Sequence, residues 1–129
     1  MAVEARYQET FAGSPQEARR ARKAIAAFAK GWLHGLDASD FESAVGEALA
    51  NAVEHGKCSR LVVDCCYARK KVTVDIRQDG LGFRPPANTY PPAEGSGRGY
   101  GLYIMRAVLD EVKYHDQGKR VRLVKSATA

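Results

Sequence analysis

The sequence has 129 residues, 45% apolar and 27% charged, which suits one folded domain and argues against two domains or a disordered chain. No apolar stretch approaches the roughly 18 residues of a membrane-spanning helix, and the N-terminus lacks the apolar core of a signal peptide, so we expect a cytoplasmic protein with no membrane partner. The net charge is +5, but the basic residues are dispersed, so nucleic acid is not the expected partner.

Hydrophobic periodicity and turn signals divide the chain into strands and helices. In chain order the predicted elements are a strand over 3–11, a helix starting at Ser14-Pro15 and ending near Gly31 to Gly35, a helix from Asp37 to His55-Gly56, strands over 61–67 and 71–78, a helix over 102–109, and strands over 112–114 and 120–125. This order predicts an α+β fold over residues 1–129: a two-layer sandwich with a mostly antiparallel, mixed sheet and three helices packed on one face.

The second predicted helix carries a pair of polar residues that could take part in a reaction. Glu47 and Asn51 are four residues apart and therefore lie one above the other. We place them on the face away from the apolar stripe that includes Val45 and Leu49. Facing a cleft, a carboxylate and a carboxamide could supply a general base and an oxygen ligand for magnesium. A polar pair on a solvated helix face is the alternative.

Two glycine-rich segments come after this helix. The first, Asp79-Gly80-Leu81-Gly82-Phe83, stands at a strand end, where an aspartate can accept a hydrogen bond from an amino group such as that of adenine. A plain turn is the alternative there. The second, Gly97-Arg98-Gly99-Tyr100-Gly101-Leu102, opens the third helix, where backbone N–H groups can converge on phosphate oxygens. A flexible loop is the alternative for this segment.

Together and in this order, these segments resemble the GHKL ATPase superfamily, and within it the anti-sigma-factor serine/threonine kinases of the RsbW and SpoIIAB type. The N box of the family matches Glu47-Ala48-Leu49-Ala50-Asn51-Ala52-Val53-Glu54-His55-Gly56. The first glycine box matches residues 79–83, and the second matches residues 97–105. The resemblance covers nearly the whole chain and implies the Bergerat fold, with ATP and Mg as cofactors.

The resemblance also implies a role for each matching residue. Glu47 would be the base that activates the attacking hydroxyl, and Asn51 would coordinate the magnesium ion. Asp79 would bind the adenine amino group with Gly82 beneath the ring, and residues 84–98 would form a mobile ATP lid. The other ATP-binding residues implied by the motifs are His55, Phe83, Gly97, Arg98, Gly99, Tyr100, Gly101 and Leu102. For His55, a helix cap is the alternative.

The implied function is that of a protein serine/threonine kinase and anti-sigma factor. Such a protein holds a sigma factor inactive and phosphorylates an anti-anti-sigma (STAS-type) antagonist in a partner-switching pathway, and it is a possible homodimer. Arg22 stands where the family tends to place an arginine facing its antagonist, although a solvated basic face is the alternative. The chain departs from many relatives at Lys119, where they have a threonine close to adenine.

Two other functions stay open at this point. A non-catalytic binding module could use ATP or ADP only to set which partner docks. A kinase of the same fold could instead regulate a phosphatase or a signalling complex without contacting a sigma factor.

Overall fold

The structure is a computed structural model that describes residues 3–85 and 100–129. Within these ranges five strands form one sheet: β1 (Ala5–Ala12), β2 (Arg60–Ala68), β3 (Lys71–Gln78), β4 (Glu111–His115) and β5 (Arg120–Ser126). Their order across the sheet is β1-β2-β3-β5-β4. All four pairs of these described strands are antiparallel, whereas the prediction allowed a mixed sheet.

In the part of the chain that the structure describes, three α-helices cover one face of the sheet: α1 (Pro15–Ala29), α2 (Gly35–Glu54) and α3 (Tyr100–Val108). α1 packs on β1 and β2, α2 on β3 and β5, and α3 on β4 and α2. A single core fills the space between helices and sheet. The predicted α+β two-layer sandwich is confirmed. Among the helices of the described part, none combines the length and apolar character needed to span a bilayer.

The helix boundaries follow local capping chemistry. The Ser14 hydroxyl accepts a hydrogen bond from the Glu17 N–H at 3.1 Å, and Pro15 follows it as the first helical residue, as predicted. At the end of α2 the sequence predicts Gly56 as the left-handed C-terminal residue. That prediction is wrong, because the left-handed residue is Lys57, at φ +50°. Gly56 is required for space: a β-carbon there would collide with the Gln78 amide.

The inward face of β3 carries a regular apolar row that ends in a polar residue. Val72, Val74 and Ile76 are buried in strict alternation against the helices. The alternation continues to Gln78, which is 9% exposed and lies directly opposite the fully buried Leu61 of β2. Because residues paired across strands point to the same face, Gln78 faces the helix layer.

Candidate functional site

Asn51 lies within the buried face of α2, so the prediction that it sits away from the apolar stripe is wrong. The side chain is only 7% exposed. It follows the buried residues Ala44 and Ala48 by seven and three positions, and helical geometry puts these three residues on one side. Its carboxamide lies beside the Tyr114 side chain of β4. A polar group therefore reaches the interior at this point.

Tyr114 completes a polar cluster that sequence reasoning missed. Burial raises the pKa of Tyr114 to about 12, while the neighbouring Asn51 and Arg106 side chains act to lower it. The Glu47 carboxylate is close enough to act in the same direction as burial. Within the described residues the buried hydroxyl has no well-aligned hydrogen-bond partner. Buried polar atoms are normally paired, so this hydroxyl marks a place that a ligand or a water molecule can complete.

Glu47 meets the start of α3. A β-carbon on Gly101 would collide with the Glu47 carboxylate, so this glycine is what allows the two to lie in contact. Leu102, next in the chain, is 6% exposed and packs in the core. The structure thus brings the N box and the helix of the second glycine box together. Gly97, Arg98 and Gly99, and residues 86–98 of the predicted lid, lie outside the described residues.

Asp79 is exposed, and its carboxylate binds backbone groups. Its Oδ1 accepts hydrogen bonds from the N–H groups of Ser59, at 2.8 Å, and Arg60, at 3.0 Å. The hydrogen bond from the Arg60 N–H has the larger effect and that from the Ser59 N–H the smaller, and together they hold the pKa of the Asp79 carboxyl below its ordinary value. The side chain therefore ties the end of β3 to the start of β2. Its predicted contact with adenine stays a prediction.

The glycines around Phe83 permit a close approach between two loops. Gly82 and Gly118 both have left-handed backbones, at φ +84° and +83°. The Phe83 N–H donates to the Gly118 carbonyl at 2.9 Å, and a β-carbon on Gly118 would collide with the Phe83 backbone. The segment after β3 is thereby fixed against the turn between β4 and β5.

Phe83 is also the centre of an aromatic cluster. Its ring centroid lies 5.2 Å from that of His55 and 5.7 Å from that of Tyr114. His55 is the C-cap residue of α2, and its backbone N–H donates to the Asn51 carbonyl at 3.0 Å. Both interpretations of His55 are thus compatible with the structure, since its backbone caps the helix while its ring joins the cluster.

A small cavity lies between α2 and the sheet, next to this cluster. Its volume is about 10 Å³, room for about one water molecule. Apolar walls come from Ala52, Ile76 and Val121, and Tyr114 connects the cavity with Asn51. The lining also includes Gln78, Phe83 and Lys119, whereas Asp79 is not part of it.

A second, open cavity of about 450 Å³ runs between α1 and α2. Glu47 lines it as well, so the same side chain faces this groove and touches α3. Arg22 lies along the groove, where its Cδ packs over Gly46 and its Nε is 3.8 Å from the Glu42 carboxylate. We call this cavity the α1/α2 groove.

Comparison with known proteins identifies the family of this chain. Residues 11–125 match the family described as the histidine kinase-like ATPase domain. The chain belongs to this family. It is 28% identical over 125 residues to a protein named anti-sigma F factor from Clostridium novyi (strain NT), covering 84% of this chain and 83% of that protein.

Two further relatives carry the same name. Proteins named anti-sigma F factor from Thermoanaerobacter sp. (strain X514) and Thermoanaerobacter pseudethanolicus (strain ATCC 33223 / 39E) are each 25% identical over 127 residues, covering 89% of both chains. The resemblance to the anti-sigma-factor branch of the family is confirmed. The roles of the individual site residues require experiment.

Proposed function

We propose that this chain is an ATP-dependent serine/threonine protein kinase that acts as an anti-sigma factor. The observation that carries the proposal is the contact of Glu47 with Gly101, beside the buried Asn51 carboxamide. The Glu47 carboxylate therefore lies against the start of α3, and the Asn51 carboxamide follows it one turn later on α2. Membership of the histidine kinase-like ATPase family supports ATP binding, and the name anti-sigma F factor of the relatives supports binding to a sigma factor.

The residues present fit a magnesium ion held together with phosphates. Mg²⁺ commonly takes one or two side-chain oxygens and completes its shell with phosphate oxygens and water. Over residues 3–85 and 100–129 no group of three acidic, histidine or cysteine side chains could hold a metal alone. Asn51 offers the single oxygen that such a shared site needs. The ion would neutralise charge on the triphosphate during transfer.

Phosphoryl transfer then requires a base and the correct positioning of the attacking hydroxyl and the phosphates. Glu47 would accept the proton of an attacking serine or threonine hydroxyl, while the new bond forms between that oxygen and the terminal phosphorus and the bond to ADP breaks. Backbone N–H groups of residues 97–101 would hold the phosphates at the start of α3. Tyr114, with Arg106 close to it, would contribute polar contacts beside Asn51.

The α1/α2 groove is where we propose that the phosphate acceptor enters. It is open, and it reaches Glu47 from the side opposite α3. A segment of a STAS-type antagonist seated there would bring its hydroxyl to the base, and Arg22 would contact that partner. The predicted homodimer and cytoplasmic location stay predictions.

The role of Glu47 can be tested with a matched pair of variants. Glu47→Gln removes the base but keeps the shape, so we expect Mg-ATP affinity within about threefold of wild type and phosphoryl transfer to the antagonist reduced by about 10²–10⁴-fold. Asp40→Asn makes the same charge change two turns earlier on α2, away from the groove lining, and should transfer normally. Undiminished transfer by Glu47→Gln would show that Glu47 is not the base.

A further inference from the structure

The end of β5 and the residues after it connect the ends of the helices, and we call residues 125–128 the strap. Lys125 Nζ donates to the carbonyl of Val108, the last residue of α3, at 2.6 Å. The Thr128 N–H donates to the Trp32 carbonyl, just after α1, at 3.0 Å. The strap therefore reaches both the end of α3 and the connection between α1 and α2.

The Thr128 side chain completes the cap of α2. Its hydroxyl accepts a hydrogen bond from the His34 N–H at 3.0 Å and donates to the Asp37 carboxylate at 2.8 Å. His34 is the N-cap residue of α2, and its own side chain makes no capping hydrogen bond within the described chain. In a capping box the side chain of the third helical residue binds the N-cap N–H directly. Asp37 holds that position here, and the Thr128 hydroxyl lies between the two groups.

Only a hydroxyl can make both of these hydrogen bonds. The oxygen accepts from an N–H group while the hydrogen donates to a carboxylate, which a methyl group or an ammonium group in its place could not do. Lys125 supports the same carboxylate, because its Nζ lies 3.7 Å from Asp37 Oδ1. Only 12% of the Lys125 side chain is exposed, so solvent screens this ion pair less than one on the open surface. Two residues of the strap thus hold Asp37.

The strap and the α1/α2 groove lie at opposite ends of the same helix pair. α1 and α2 pack side by side and are joined by residues 30–34, so they run antiparallel. The strap binds this connection, whereas the groove is lined by residues between 15 and 22 of α1 and between 43 and 54 of α2. The connection that the strap holds therefore contributes to the placement of the two groove walls.

The two walls are held by different parts of the fold. α2 packs on α3 and on the interior strands β3 and β5, whereas α1 packs on β2 and on the edge strand β1. If the connection loosens, α2 is still fixed by these neighbours. α1 is then the wall that gains freedom, and the contact of Glu47 with Gly101 on the far side of α2 is preserved.

We infer that Thr128 is a positioning residue: its hydroxyl fixes the connection between α1 and α2 and so sets the width of the groove in which the phosphate acceptor is proposed to enter. This inference rests on the proposed function, because the acceptor belongs to it. Without the hydroxyl, the His34 N–H and the Asp37 carboxylate lose their shared partner, and the connection opens more often. The acceptor then binds more weakly, while the nucleotide site between α2 and α3 is unchanged.

The test compares Thr128→Val, which keeps the shape and removes the hydroxyl, with the control Thr128→Ser, which keeps the hydroxyl. Hydrogen exchange of residues 30–40 in the full chain, read by mass spectrometry, should be about fivefold faster in Thr128→Val and within about twofold of wild type in Thr128→Ser. Asp37→Ala removes the other end of the bridge and should accelerate exchange in the same segment.

Kinetics then separate positioning from general stability. With a STAS-type protein recovered from host lysate as acceptor, Thr128→Val should raise its KM about three- to tenfold, and kcat and Mg-ATP affinity should stay within about twofold of wild type. Equal exchange rates in Thr128→Val and Thr128→Ser would overturn the inference, as would an unchanged KM or a loss confined to kcat. Failure of wild type to phosphorylate the acceptor would instead overturn the proposed function, and the exchange rates would still decide whether the hydroxyl holds the connection.

Discussion

Asp79 and Gln78 are adjacent in the chain and serve opposite sides of β3. Asp79 Oδ1 accepts two backbone hydrogen bonds from the start of β2, whereas Gln78 faces the helices opposite Leu61. The Asp79-Gly80 sequence at a strand end predicts an acceptor for an amino group, with a plain turn as the alternative. The alternation of Val72, Val74 and Ile76, extended by one step, would have indicated that the glutamine points inward.

The environment of Asp79 predicts how stability depends on pH. Its backbone donors lower the pKa of the carboxyl in the folded state, so its stabilisation is present above the unfolded value of about 3.9 and is lost as the pH falls through the lower folded value. Asp79→Asn removes the charge. Urea unfolding should show the largest difference between wild type and Asp79→Asn near neutral pH, with a smaller difference below about pH 4. A difference independent of pH would contradict this account.

The contacts between other residues of the site could not be predicted from the sequence. The contact of Asn51 with Tyr114 joins α2 to β4, and no local pattern specifies which helix position meets which strand position. The burial of Asn51 was detectable in principle, because it follows Ala44 and Ala48 at helical spacing. The contact of Glu47 with Gly101 depends entirely on the packing of α2 on α3.

At the scale of elements, the periodicity predicted the three helices and five strands found in residues 3–85 and 100–129, because alternation and helical spacing are local properties. The order of the strands is not local. β5 pairs with β3 and leaves β4 at the edge, since the chain crosses through α3 before the last hairpin. That pairing brings the Gly118 turn against Phe83 and so builds one end of the cavity.

The contact between these two loops gives a stability prediction with a matched control. Gly118→Ala puts a β-carbon into the Phe83 backbone at a left-handed position and should lower the free energy of unfolding by about 1–3 kcal/mol. Gly31→Ala adds the same atom where the nearest contact is the Phe28 carbonyl at 3.8 Å, and it should be neutral or stabilise by up to about 1 kcal/mol. Urea denaturation of both variants tests this, and equal effects would refute it.

At the scale of the whole molecule, Glu47 separates two spaces. On one side lie α3 and the proposed phosphates, and on the other lies the α1/α2 groove with Arg22. This arrangement lets a nucleotide and a protein acceptor approach the same carboxylate from different directions. The net charge of +5 favours acidic partners at such a surface, although charge alone does not select among them.

The measurement that tests the central claim most directly is a pull-down from host lysate with the purified chain in Mg-ATP, Mg-ADP or no nucleotide, read by mass spectrometry. We predict recovery of a sigma factor together with a small STAS-type protein. A serine or threonine of that protein should become phosphorylated in Mg-ATP with wild type, but not with Glu47→Gln. Recovery of neither protein, from a chain shown to bind ATP, would contradict the account and indicate a nucleotide-gated module outside transcription.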